Sequence, residues 1–136
     1  MPWAQGLVAL TALLAVLLYF FMVARVGAAR RKYKVEAPAI TGHPIFERTL
    51  RVQQNTLEQF PPFLVGLYFF STTLSPLGAA LLGFLWILGR ILYMEAYIAN
   101  PPARRLGALL TFAATGFLDI CAIIGVVLAI LRDLPR

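Results

Sequence analysis

The residues best suited to chemistry lie in the stretch 47–58, which reads ERTLRVQQNTLE and leads directly into an apolar run. On a helix, Arg51, Asn55 and Glu58 fall at i, i+4 and i+7, within about 60° of one another. Polar and charged groups at membrane depth are costly, so a chain that keeps several there is expected to use them. This face offers a cation, an amide and a carboxylate to one ligand.

A second set of polar residues has a similar helical spacing further along the chain. Arg90, Tyr93 and Tyr97 fall at i, i+3 and i+7, again on one face. Guanidinium groups bind carboxylates or phosphates through paired hydrogen bonds, and a neighbouring glutamate binds an ammonium group. The two faces together predict a site for a small zwitterionic peptide with more than one carboxylate. A phospholipid headgroup fits this set less well.

The elements that must position these residues are membrane helices. Of the 136 residues, 60% are hydrophobic and only 13% are charged, whereas soluble domains have about 25% charged residues. Residues 1–24 carry no charge, and neither do residues 59–89, which a turn signal around Ser75 interrupts. Because two spans need about 40 residues, the second helix is expected to begin near Pro44 or Phe46. The same argument extends the third helix past Arg90.

The resulting prediction is an all-α fold, an integral membrane four-helix up-and-down bundle that forms a single domain over residues 1–136. The predicted spans are 3–28, 45–73, 77–99 and 104–131. The net charge of +6 comes from basic residues that flank apolar runs, so we read it as a topology signal, with no nucleic acid as partner. Basic residues concentrate in the first and third connections, which the positive-inside rule assigns to the cytoplasm.

Five other positions carry groups that could react or bind. Arg104 and Arg105 open the predicted fourth helix, where a guanidinium would either anchor the topology or stabilise a thiolate by lowering its pKa. Asp119 lies within the fourth span, either as a functional carboxylate or as a structural partner of another helix. His43 lies in a Gly-His-Pro loop without clustered metal ligands, so no metal site is predicted. The single cysteine, Cys121, is expected to be a buried structural thiol.

These motifs resemble the MAPEG family, the membrane-associated proteins of eicosanoid and glutathione metabolism. The similarity is greatest to leukotriene C4 synthase-like and bacterial microsomal glutathione transferase-like members. It extends over most of the chain, as far as Arg104, and rests on the strings ARRKYKV (29–35), TGHPIFER (41–48), RVQQNTLE (51–58), FPPFL (60–64) and RILYMEAY (90–97).

The resemblance implies a homotrimer that binds glutathione as co-substrate between neighbouring subunits, on the cytoplasmic side. It implies that Arg104 stabilises the glutathione thiolate, with Arg31 as a second basic group near the reacting centre and Arg105 as the alternative to Arg104. It also implies a set of binding residues that contact the γ-glutamyl end or the glycine carboxylate. The γ-glutamyl set is Arg51, Asn55, Glu58, Arg90, Tyr93 and Tyr97, and the glycine set is Arg30 and Gln53.

One position departs from the family pattern. A tyrosine often follows the glutamate in the eicosanoid enzymes, whereas this chain has Gln59. The resemblance therefore implies a glutathione transferase for hydrophobic electrophiles from the lipid phase, with a role in detoxification or lipid metabolism, rather than a dedicated eicosanoid synthase. Glutathione-dependent peroxidase activity is a further expectation. The implied location is a bacterial inner membrane or an endoplasmic-reticulum-type membrane.

Two alternatives to this enzyme stay open. One is a non-catalytic, lipid-binding family member, against which the retained polar residues argue. The other is a small multidrug transporter, which usually carries a carboxylate in its first span, whereas the first span here carries no charge.

Overall fold

Four long helices make up the fold in the computed structural model, which describes residues 2–134. They are α1 (Trp3–Tyr33), α2 (Pro44–Thr73), α3 (Pro76–Ala99) and α4 (Arg105–Asp133). A single 3-10 turn, Pro101–Arg104, precedes α4. Short connections between long helices make chain neighbours antiparallel. Helices α2 and α3 pack against each other and against both α1 and α4, so they form the middle of the bundle.

Local signals in the sequence set the helix ends. Helix α2 begins at Pro44, where His43 Nδ1 accepts a hydrogen bond from the Ile45 amide at 3.3 Å. Helix α3 begins at Pro76, where Ser75 Oγ accepts from the Gly78 amide at 3.0 Å. Proline suits the first helical position because the missing N–H there has no intrahelical partner. Helix α2 thus starts well before the uncharged stretch that begins at residue 59.

Helix α1 is longer than the predicted span, because it continues through the basic cluster to Tyr33. Arginines and a lysine occupy its last turn, where cations interact favourably with the helix dipole. The chain then leaves the helix at Lys34, whose φ of 53° is left-handed. The fourth helix begins at Arg105, because the residues up to Arg104 form the 3-10 turn.

Three helical segments are long and apolar enough to cross a membrane within the described residues 2–134: Trp3–Tyr33, Pro76–Ala99 and Pro101–Asp133. Helix α2 falls short of this criterion because its first half carries the polar face described above, although its 30 residues extend about 45 Å. Many large apolar side chains point outward, such as Leu17 at 63% exposure. Such exposed apolar surface is expected of a protein that faces lipid or neighbouring subunits.

Aromatic rings and glycines fill the interior. Trp86 is fully buried and stacks on Phe63, with ring centroids 4.1 Å apart. Near the α3–α4 connection, α4 approaches α3 so closely that a Cβ on Gly107 would lie 2.3 Å from the Tyr93 backbone nitrogen. The same Cβ would lie 2.7 Å from the Gly89 carbonyl oxygen. Only glycine fits at residue 107 without separating the two helices.

We expect Gly107→Ala to lower the free energy of unfolding by about 1–3 kcal/mol, because the added methyl group overpacks a backbone contact. Gly116→Ala is the matched control on the same helix, since no atom lies within 4 Å of its added Cβ. That variant should be neutral or gain about 0.5–1 kcal/mol from the helix propensity of alanine. Thermal unfolding in detergent, followed by circular dichroism, measures both. Equal stability of the two variants would contradict the close α3–α4 contact.

Candidate functional site

The polar face of α2 lies at the end of the bundle where α3 finishes. Arg51 Nη1 lies 3.5 Å from Glu58 Oε1, and Asn55 Nδ2 donates to Glu58 Oε2 at 3.5 Å. The side chains of Arg51 and Glu58 are 53% and 55% exposed. Ion pairs this exposed contribute at most about 1 kcal/mol. Both charged groups are therefore available to a ligand at little energetic cost.

Arg90 is the most unusual residue of the site because its charge is buried. It is 1% exposed, and its Nη2 donates to Asn55 Oδ1 at 3.0 Å and to Thr56 Oγ1 at 2.8 Å. Its Nε has no hydrogen-bond partner. Within residues 2–134, Arg90 forms no ion pair with a carboxylate. An uncompensated buried charge costs several kcal/mol, so the site favours an anion at this position.

Two stacked tyrosine rings with an arginine at each end connect Arg90 with the start of α4. The Arg90 Cζ lies 4.4 Å from the Tyr93 ring centroid, and the Tyr93 and Tyr97 rings stack at 5.5 Å with 8° between their planes. The Arg104 Cζ lies 5.0 Å from the Tyr97 ring centroid. Cations attract ring faces at such distances. The stack brings an exposed arginine to the mouth of the site.

The 3-10 turn determines which of the two adjacent arginines reaches the stack. It ends at Arg104, whose guanidinium covers Tyr97, whereas Arg105 begins the α4 helix. One residue of helix rotates a side chain by about 100°. The geometry therefore favours Arg104 over Arg105 as the cation that faces a ligand.

The remaining predicted residues lie on another face of the same chain. Arg30 Nη1 donates to the Ala39 carbonyl oxygen at 2.7 Å, and its Cζ lies 4.7 Å from the Phe46 ring centroid. Gln53 Nε2 donates to the Tyr19 hydroxyl at 2.7 Å, across the α1–α2 contact. Arg31 is exposed beside Arg30. On α2, Gln53 is about 160° away from Arg51. The structure therefore separates Arg30, Arg31 and Gln53 from the other binding residues, which we call the Arg90 set: Arg51, Asn55, Glu58, Arg90, Tyr93 and Tyr97.

Two residues at the site were not singled out from the sequence. Thr56 accepts from the buried guanidinium, and the Trp86 ring centroid lies 5.9 Å from the Arg90 Cζ. The sequence could have assigned Trp86 to the site, because it precedes Arg90 by four residues and so shares its helix face. It could not have assigned Thr56, since a helical wheel puts this residue about 140° from Arg51.

The other polar candidates have local contacts. His43 stacks on Tyr33 with centroids 3.8 Å apart and caps α2, so its ring already has structural contacts. In the described part of the chain, no group of three or more His, Cys, Asp or Glu residues is placed to hold a metal ion. Asp119 lies away from the Arg90 set, in a groove between α2 and α4.

Comparison with known proteins relates this chain to one family of membrane proteins. The sequence profile of the MAPEG family matches residues 8–124. An uncharacterized protein of Synechocystis is 45% identical over 94% of this chain and 90% of its own length. Human microsomal glutathione S-transferase 2 is 36% identical over 78% of this chain and 72% of its own length. Bovine leukotriene C4 synthase is 36% identical over 83% of this chain and 81% of its own length.

We expect Thr56→Val to lower the free energy of unfolding by about 1.5–3 kcal/mol, because it removes a hydrogen bond to a buried charged group. Thr115→Val is the matched control, since the Thr115 hydroxyl is buried without a hydrogen-bond partner. That substitution should be neutral or stabilising. Titration of the detergent-solubilised protein with sodium dodecyl sulfate measures both. A stable Thr56→Val variant would mean that Thr56 does not support the Arg90 guanidinium.

Proposed function

The chain belongs to the MAPEG family, and we propose that this integral membrane protein is a glutathione transferase that acts on hydrophobic electrophiles. The observation that carries the proposal is the buried Arg90 guanidinium, which has no counter-charge within residues 2–134 and has a free Nε. The relatives named microsomal glutathione S-transferase and leukotriene C4 synthase support it.

The donors and acceptors of the Arg90 set match the γ-glutamyl end of glutathione, which carries one carboxylate and one ammonium group. Arg51 and Arg90 would bind the carboxylate, and Glu58 would accept from the ammonium group. Asn55, Tyr93 and Tyr97 would contact the remaining polar groups. Because the Arg51–Glu58 pair is long and exposed, each partner can turn to the ligand.

Arg30 and Gln53 would bind the glycine carboxylate, but from a neighbouring subunit. Within one chain these residues lie on the α1 side of α2, across the helix from Arg51. A cyclic homotrimer would place Arg30 and Gln53 of one subunit against the Arg90 set of the next subunit, which a closed heterologous interface allows. Arg31 would then be a second cation close to the sulfur.

Arg104 would carry the catalytic role, because it is exposed and held over the Tyr97 ring. Its positive charge would stabilise the thiolate of glutathione and lower the thiol pKa, so that more thiolate is present near neutral pH. The sulfur then bonds to an electrophilic carbon. A halide leaves from an aryl halide, or the C–O bond of an epoxide breaks and its oxygen takes a proton from water.

Reduction of lipid hydroperoxides by the same thiolate is a second proposed activity, in which glutathione is oxidised as the O–O bond breaks. Gln59 in place of the tyrosine common in eicosanoid enzymes favours a broad range of electrophiles, with detoxification or lipid metabolism as the setting. We propose that the site faces the cytoplasm, because basic residues flank it.

We expect Arg104→Ala to lower turnover of a generic aryl halide by at least about a hundredfold, as for loss of other electrostatic stabilisers. The dissociation constant for glutathione should change much less. Ultraviolet difference absorbance should show the pKa of the bound thiol rising towards that of the free thiol. Arg105→Ala is the matched control and should behave as wild type. Equal turnover of Arg104→Ala and wild type would contradict the assignment, and an inactive wild type would favour a non-catalytic lipid-binding protein.

We expect Arg30→Ala and Arg51→Ala to complement each other when the two chains are co-expressed. Each variant alone should bind glutathione weakly at every site, whereas a mixed assembly regains sites in which both arginines are present. Isothermal titration of the tandem-purified mixed assembly measures the number of tight sites. If mixed assemblies contain no tight sites, both arginines act within one chain. If either variant alone binds glutathione tightly, the arginine that it lacks does not bind glutathione.

A further inference from the structure

A groove of about 660 Å³ lies between α2 and α4, away from the Arg90 set. Its walls are apolar except for Asp119, the one ionisable residue among those that line it. Within residues 2–134, the Asp119 carboxyl group makes no hydrogen bond and no ion pair with another side chain. An ionisable residue inside a membrane span is a candidate functional residue by default. The groove therefore holds a polar group that lacks a protein partner.

The position of the carboxyl group depends on a glycine of the facing helix. A Cβ on Gly66 would lie 2.2 Å from Asp119 Oδ1, so the carboxyl group occupies the space that any side chain at residue 66 would take. The absence of a side chain lets Asp119 lie against α2 inside the groove. Gly66→Ala would displace the carboxyl group without altering its chemistry.

The groove lies on the same face of α2 as Glu58 of the proposed glutathione site. Pro62, Val65 and Phe69 line the groove and fall within about 40° of Glu58 on the α2 helical wheel. On α4, Asp119 is about 40° in rotation and about 21 Å along the axis from Arg105, the first residue of the helix. A long apolar molecule in the groove would thus extend from Asp119 towards the end of the bundle where the thiolate is proposed.

We propose that this groove holds the apolar body of the electrophile and that Asp119 selects molecules with a hydroxyl or amine hydrogen-bond donor distant from the electrophilic carbon. A carboxyl oxygen accepts a hydrogen bond in either protonation state, and an apolar site with an unpaired acceptor rejects analogues that lack the donor. The ionised form also repels a carboxylate. The groove thus favours neutral or cationic amphiphiles over fatty-acid-type anions. This inference rests on the proposed function in one respect, namely that the molecule bound in the groove is an electrophile.

The first test measures binding without catalysis. A long-chain alcohol with a diazirine near its hydroxyl group is photolysed with the purified protein, in parallel with its methyl ether and the corresponding carboxylate. Mass spectrometry should locate adducts on groove residues of α2 and α4, with about five- to tenfold more labelling by the alcohol than by the ether and least by the carboxylate.

Three variants test separately the hydrogen-bond acceptor of Asp119, its charge and its position in the groove. Asp119→Leu and Gly66→Ala should abolish the preference for the alcohol over the ether, whereas Asp119→Asn should keep it and admit the carboxylate. Asp133→Asn, a charge change near the end of the same helix, should behave as wild type. Thermal unfolding establishes that each variant is folded. Unchanged ratios in Asp119→Leu, or adducts confined to other helices, would overturn the inference.

The second test measures conjugation of paired electrophiles that differ only in a distal hydroxyl or methoxy group. The ratio of kcat/KM values should favour the hydroxyl compound in the wild type and approach one in Asp119→Leu. Loss of all conjugation in the wild type, with alcohol-selective labelling intact, would reject the proposed function and leave the binding groove standing. Normal conjugation in the wild type, without any preference for the compound that carries the hydroxyl group, would support the proposed function and reject the selectivity assigned to Asp119.

Discussion

The structure depends most on the burial of the Arg90 guanidinium between α2 and α3. A charge at 1% exposure requires acceptors at defined distances, and Asn55 and Thr56 supply them from the facing helix. These contacts set both the rotation and the register of α2 against α3, because either change would remove an acceptor. The Arg90 Nε has no hydrogen-bond partner, and no residue within 2–134 gives the guanidinium a counter-charge. Under the proposed function, the same group that holds α2 against α3 would also bind the anionic end of the ligand.

The glycine contacts between α3 and α4 extend this arrangement to the catalytic candidate. Gly107 lies against the backbone of Tyr93, so α4 begins close to the α3 turn that carries the tyrosines. The 3-10 turn before α4 then brings Arg104 over Tyr97. The spacing between α3 and α4 therefore also fixes the position of Arg104, because a wider spacing would move Arg104 away from the Tyr97 ring.

The polar residues of α2 contact two different helices. Asn55 contacts α3 through Arg90, and Gln53 contacts α1 through Tyr19. Side chains two residues apart on a helix point in nearly opposite directions. Under the proposed assembly, one helix serves two ligands at once, one on each side. The outward apolar side chains would then face either lipid or a neighbouring subunit.

The sequence alone determined the helical class, the family and the polar faces, because these depend on local periodicity and span length. The length argument predicted a start near Pro44 or Phe46 for α2, and the helix begins at Pro44. The resemblance to the MAPEG family is confirmed. Only the tertiary structure decided that Thr56 supports Arg90, that Arg104 rather than Arg105 covers Tyr97, that Arg30 and Gln53 lie apart from Arg90, and that Asp119 lies against Gly66. These outcomes depend on the rotation and spacing of helix pairs, and on the 3-10 turn before α4, which decides the direction in which Arg104 points. A periodic pattern within one helix contains no information on how far, or at what angle, its neighbour lies.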